Sequence, residues 1–139
     1  MRVLHEATCY VTVIIHAAAT INFVEPMKVA ALTNVRGTRE MLKLAKACSN
    51  IKSIVHVSTA YANATRSRIK GEVIEDFCDS PINPDTLIQL AEDVPEAILD
   101  EMIAPLMREW PNSYTFSKAV TEALVRSQTG HQFASFGLL

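Results

Sequence analysis

Apolar positions along the chain change period several times, and each change marks an element. Val11 to Ile15 is a short β-branched run closed by His16 and the small residues Ala17, Ala18 and Ala19. Near-continuous apolarity of this kind suits a strand covered on both faces, as in a parallel sheet. From about Val29 to Ser49 the period lengthens. Met41, Leu42, Ala45 and Cys48 recur at helical spacing, with Arg39, Glu40, Lys43 and Lys46 on a solvated side. Ser49-Asn50 offers a helix stop, and Ile51 to Ser58 (IKSIVHVS) reads as a second buried strand ending in hydroxyl residues. Strand, helix, strand implies a crossover connection and a parallel sheet.

Thr59 to Pro111 shows no strand pattern. Its first part, Ala62 to Pro84, is polar; from Asp85 it turns helical, with Leu87, Leu90, Ala91 and Val94 on one face. Ile98, Met102 and Leu106 then line a further short helix, and Pro95 and Pro105 punctuate these segments. Residues from about 62 to 111 are therefore expected to form a helical insertion. Asn112 to Arg126 is a clear helix, with Phe116, Val120 and Leu124 as its apolar stripe. The tail GHQFASFGLL has no readable period, and the chain holds no internal repeat.

Composition narrows the class. At 139 residues, 49% of them hydrophobic, the chain has material for one domain with a buried core. A net charge of -2 excludes a strongly basic surface of the kind that binds nucleic acid or anionic lipid. Cys9, Cys48 and Cys78 form no CxxC pair, so neither a disulfide framework nor a metal site is expected, and a reducing compartment fits. No apolar run approaches the ~20 residues of a membrane span, and MRVLHEATCY lacks the features of a signal peptide. The chain is expected to be soluble. Gly37, Gly71, Gly130 and Gly137 lie too far apart to make a phosphate-cradling loop.

The candidate chemistry starts with Tyr114 and Lys118, one helical turn apart. They lie opposite Phe116, Val120 and Leu124, so packing is expected to leave them free. An ammonium beside a phenol favours phenolate and eases proton transfer, and it can also bond a ribose diol. An accidental Tyr-x-x-x-Lys occurs in roughly one chain in seven, so context decides. Ser58 and Thr59 follow the second strand, at the edge where parallel sheets bind ligands. Such hydroxyls orient a carbonyl oxygen or simply cap the strand exit. Ala17, Ala18 and Ala19 follow the first strand and either admit a flat ligand or pack tightly under a helix. Asn34 either bonds a helix carbonyl and holds a water, or caps a helix.

Other residues are weaker candidates. His16 and His56 read as partly buried structural histidines, because no third ligand of suitable spacing joins them. Arg66, Arg68 and Lys70 could meet the phosphates of a coenzyme A, although an ordinary surface explains them equally. Glu72, Glu75, Asp76 and Asp79 read as a solvated loop. Trp110 reads as a packing anchor, and Met102 and Met107 as core filler.

Together HAAAT (16–20), NVRGT (34–38), HVSTAY (56–61) and YTFSK (114–118) resemble the extended short-chain dehydrogenase/reductase superfamily. Within it, VIIHAAATINFVEPMKVAALTNVRGTREMLKLAK, IVHVSTAYAN and WPNSYTFSKAVTEALV are most similar to alcohol-forming fatty acyl-CoA reductases, over about residues 11–129. The resemblance implies an α/β fold, a partial Rossmann-like doubly wound parallel sheet with the helical insertion before the Tyr-x-x-x-Lys helix. It implies NADPH as cofactor and a long-chain acyl-CoA as substrate, reduced through an aldehyde stage to a primary alcohol. Tyr114 would be the general acid, and Lys118 would lower its pKa and bind the nicotinamide ribose. Thr59, or second Ser58, would orient the carbonyl, Asn34 would support a proton relay, and Ala17 to Ala19 would line the dinucleotide.

The family's Gly-rich turn is not found in this sequence. The chain is accordingly expected to be the central part of an NAD(P)-binding domain, binding dinucleotide poorly and inactive alone. The family's membrane association, at the endoplasmic reticulum or peroxisome, is implied for complete relatives only. A sugar-nucleotide epimerase or hydroxysteroid-type dehydrogenase, and a non-catalytic remnant acting as a binding partner, are the alternative readings. The long passage from Thr59 to Pro111 argues against the first, and the missing Gly-rich turn favours the second.

Overall fold

A computed structural model of the chain describes residues 10–68, 78–128 and 136–137. Strand β1 (Val13–His16) pairs in parallel with β2 (Ser53–Val57), placing Ile14 beside Ile54 and His16 beside His56. A short β3 (Phe136–Gly137) lies parallel to β2 on its other side, giving the order β1-β2-β3. This third strand falls in the tail whose sequence shows no period. Two residues cannot display an alternation.

The crossover from β1 to β2 is helical from Met27 to Ala47. It begins as α1 (Met27–Ala30), widens into a π-helical segment (Ala31–Arg36) and continues as α2 (Gly37–Ala47). Pro26 stands at the entry, where its fixed φ and missing N–H are harmless. At the far end Cys48 turns extended and Ser49-Asn50 forms the turn that the sequence implies.

Between β2 and the last helix run a 3-10 turn (Arg66–Arg68), α3 (Pro84–Asp93), α4 (Glu96–Ile103) and a second 3-10 turn (Leu106–Glu109). Asn83 caps α3, its Oδ1 accepting from the Asp85 and Thr86 amides at 2.9 and 3.2 Å, with Pro84 at the first helical position. The face expected on α4 is corrected. Ile98, Met102 and Leu106 are exposed, whereas Leu99 and Ile103 are buried against the core. The reason is that α4 lies against α1, and Pro105 ends the helix before Leu106 can join its stripe. Trp110 anchors this region: its Nε1 donates to Ala62 O at 2.9 Å, and its ring meets Phe116 edge-on at 5.4 Å.

Helix α5 (Ser113–Gln128) runs through the centre, packed against the π-helical segment and α2. Phe116, Val120 and Leu124 join Val35, Leu42, Leu87, Leu99 and Ile54 in one core. The core lies on the sheet face that carries Ile14 and Ile54. On the other face Val13 and Ile15 are 52% and 70% exposed, so β1 is not covered on both faces by the described residues. No helix among the described residues is long and apolar enough to cross a membrane.

Candidate active site

Parallel strands end side by side at one edge, and here that edge gathers the chemistry-bearing residues. Past His16 come Ala17 and Ala18, exposed, and Ala19, half-buried; past Val57 come Ser58 and Thr59, both buried. Helix α5 presents Tyr114, Lys118 and Glu122 on one stripe, each a turn apart.

Lys118 joins α5 to the end of β2. Its Nζ donates to Val57 O at 2.8 Å and lies 3.5 Å from His56 Nε2. The side chain is only 3% exposed, which corrects the expectation that packing leaves it free. A helix crossing a strand end at this closeness seals the flexible stem while the carbonyl receives the charge. Burial lowers the Lys118 pKa from the usual lysine range, and the Glu122 carboxylate pulls it back up. Of the three ammonium donors, Val57 O and His56 Nε2 account for two.

Behind Lys118 lies a pair of uncharged imidazoles. Burial first, then Lys118 and His16, push His56 down to about 3, and burial and Lys118 lower His16 as well. Their rings stand 5.4 Å apart. Thr38 Oγ1 donates to Asn34 O at 2.7 Å and therefore accepts from His16 Nε2 at 3.0 Å, which fixes that tautomer. His56 Nδ1 is buried without a partner.

Of the two hydroxyls, Ser58 is already committed, since its Oγ donates to Glu122 Oε1. Asn63 Nδ2 donates to the other carboxylate oxygen at 3.1 Å. Thr59 Oγ1 accepts from the Tyr61 amide at 3.3 Å, leaving its own proton for another acceptor. Tyr114 is half-buried, with its ring 5.4 Å from Phe23 on the loop after β1.

Asn34 neither caps a helix nor bonds a helix carbonyl, the two local roles its sequence position offers. It sits inside the π-helical segment, 1% exposed. Its Oδ1 accepts from Thr20 N at 2.9 Å; its Nδ2 donates to Thr20 O at 3.3 Å and to Ser117 Oγ at 2.9 Å. The extra residue of a π turn re-aims one side chain, and here it aims the amide across to the loop after β1 and to α5. Ser117 Oγ in turn donates to Tyr114 O. Asn34 thus ties the Ala17–Thr20 loop to the turn between Tyr114 and Lys118.

Sequence reasoning missed Glu122, Ser117 and Phe23. Glu122 had a signal, being four positions beyond Lys118 on the Tyr114 stripe; Phe23 sits in an aperiodic loop and had none. Cys9, Lys70, Glu72, Glu75 and Asp76 lie outside the described residues.

The sequence comparisons give the class of the domain. Residues 2–134 match the male sterility protein family of NAD-binding domains, and the chain belongs to that family. It is 36% identical over 116 residues to the fatty acyl-CoA reductase wat of Drosophila melanogaster, covering 84% of this chain and 22% of that protein. It is 34% identical over 126 residues to fatty acyl-CoA reductase 2 of Homo sapiens, covering 91% and 24% respectively. With fatty acyl-CoA reductase 1 of Xenopus laevis it shares 33% over 118 residues, 85% and 22%. The chain therefore spans about a quarter of the length of these relatives.

The described residues fit the nicotinamide end of such a cofactor. The third donor of buried Lys118 suits a ribose hydroxyl, and the exposed Ala17 and Ala18 carry only methyl groups where a flat ring would lie.

Proposed function

We propose that the chain carries the catalytic edge of an NADPH-dependent reductase that converts a long-chain acyl-CoA to a primary alcohol. The observation that carries the reading is the junction of α5 with the end of β2, where Lys118 is bonded to Val57 O directly before Ser58 and Thr59. The names of the relatives supply the substrate class. NADPH, when bound, supplies hydride. Thr59 holds the carbonyl oxygen through its uncommitted hydroxyl, Tyr114 delivers a proton to that oxygen, and Lys118 holds the ribose. Expulsion of the thiol yields the aldehyde, and a second round of hydride and proton delivery yields the alcohol. Ser58 is held by Glu122 and serves as support.

At the level of fold, the sheet is part of a doubly wound Rossmann-like domain. The exposed Val13 and Ile15 supply the support: in that architecture this face lies under helices, which further parts of relatives four times as long would contribute. In this domain residues 62–111 form the helical insertion, and Ala17 to Ala19 line the dinucleotide. A long-chain alcohol partitions into lipid, so the surface of the endoplasmic reticulum or peroxisome is the proposed place of action.

The experiment supplies palmitoyl-CoA with NADPH or NADH to the protein as its cell produces it, and follows coenzyme oxidation and hexadecanol. Palmitoyl-CoA-dependent NADPH oxidation with hexadecanol as product is expected. Turnover of a nucleotide sugar or a hydroxysteroid in place of palmitoyl-CoA would defeat the reading.

A further inference from the structure

Beside Tyr114 opens a cleft of about 580 Å³, between the loop after β1 and the segment from α4 to the start of α5. A space of this size matches small-ligand sites, which run from about 300 to 1,000 Å³. Phe23, Val24 and Met107 supply apolar wall, with Phe23 and Val24 58% and 86% exposed. Arg66 and Arg108 supply cations.

The charges on this cleft are unequally engaged. Asp100 Oδ1 accepts from the Met27 amide at 2.9 Å, and Glu25 Oε1 accepts from Asn22 Nδ2 at 3.0 Å. Neither Arg66 nor Arg108 forms an ion pair among the described residues, although Arg36 and Arg39 both do. Arg68 is directed to Cys78 Sγ at 2.7 Å and does not line the cleft. Two guanidinium groups without an ion-pair partner among the described residues thus line the cleft, beside two carboxylates that keep their charge and an apolar wall. The cleft borders the start of α5: Phe23 of its wall stands 5.4 Å, ring to ring, from Tyr114, and Ser113, the residue before Tyr114, lines the wall.

We infer that this cleft binds the carrier arm of the thioester substrate, with Arg66 and Arg108 holding the coenzyme A phosphates and Phe23 and Met107 flanking the pantetheine chain toward Tyr114. The inference rests on the acyl-CoA reading above. The ligand needs an anionic head, a long neutral stem and a reactive carbonyl at its far end, and an acyl-CoA has all three. Guanidinium groups suit the head because they bind phosphate oxygens in pairs.

The test titrates the 139-residue chain with coenzyme A and, separately, with NADP+ by isothermal titration calorimetry. Coenzyme A is expected to bind, and Arg66→Gln and Arg108→Gln each to weaken it about tenfold, with NADP+ affinity unchanged. Both arginines are exposed, so the variants keep the native far-ultraviolet circular dichroism. No binding of coenzyme A by the unaltered chain overturns the inference. So does unchanged affinity in the double variant, or a loss confined to NADP+, which would make the cleft a dinucleotide site. In the assay of palmitoyl-CoA reduction, an unchanged KM in the double variant sinks the cleft assignment alone. Absence of reduction by the unaltered protein sinks the reaction but leaves the titration standing.

Discussion

Single residues set the proton inventory of the site, and the histidine pair is the most consequential. His56 is 3% exposed and held at about 3, against 6.5 for the free side chain. The unfolded chain therefore binds a proton between pH 6.5 and 3 that the folded chain refuses. Stability is fully present above the unfolded value and is lost as pH falls, at up to about 1.4 kcal/mol per pH unit. Urea unfolding across this range should show that slope, and His56→Phe should flatten it; equal slopes would contradict the neutral assignment. Gly37 gives an opposite kind of prediction. Its φ of -55 is helical, and an added Cβ would meet nothing closer than Leu32 O at 4.0 Å. Gly37→Ala should stabilise by about 0.5–1 kcal/mol in the same assay. At this scale Tyr114, Lys118 and the two hydroxyls were legible because strand ends and an i, i+4 pair are visible in sequence. The bond of Ser58 to Glu122, which leaves Thr59 as the free hydroxyl, was not legible, since it joins residues 64 positions apart.

Elements were legible where their period was long and one-sided. The strands around Val13 and Ile54 and the helices α2, α3 and α5 fall where the apolar pattern puts them. The pattern failed on α4, whose eight residues hold apolar side chains on more than one side. Ile98 and Met102 are as hydrophobic as Leu99 and Ile103, and only the docking of α4 on α1 decides which pair is buried. Leu99→Ala should cost about 2–5 kcal/mol in urea or thermal unfolding, whereas Ile98→Ala should stay within about 0.5 kcal/mol. Similar losses for both would mean that the helix is rotated. The π-helical segment was equally unreadable. Its residues carry an ordinary helical composition, and the widening shows itself only in the reach of Asn34 to Thr20 and Ser117. Asn34→Ala should loosen that loop, visible as faster amide exchange at Thr20, whose N–H loses its acceptor.

For the molecule as a whole, a hydrophobic content of 49% promised one core, and one core is what the helices build on the inner sheet face. The outer face, with Val13 and Ile15 in water, could not be foreseen, because a run such as VTVII reads the same whether one face or both are covered. Beside the relatives, the chain matches about a quarter of their length. The central claim is that Tyr114 protonates the oxygen of the carbonyl being reduced. It is tested most directly by Tyr114→Phe in the protein as its cell produces it, with hexadecanol formation from palmitoyl-CoA and NADPH binding measured together. Turnover should fall about 10²- to 10⁴-fold with dinucleotide affinity retained; undiminished turnover would contradict the role given to Tyr114.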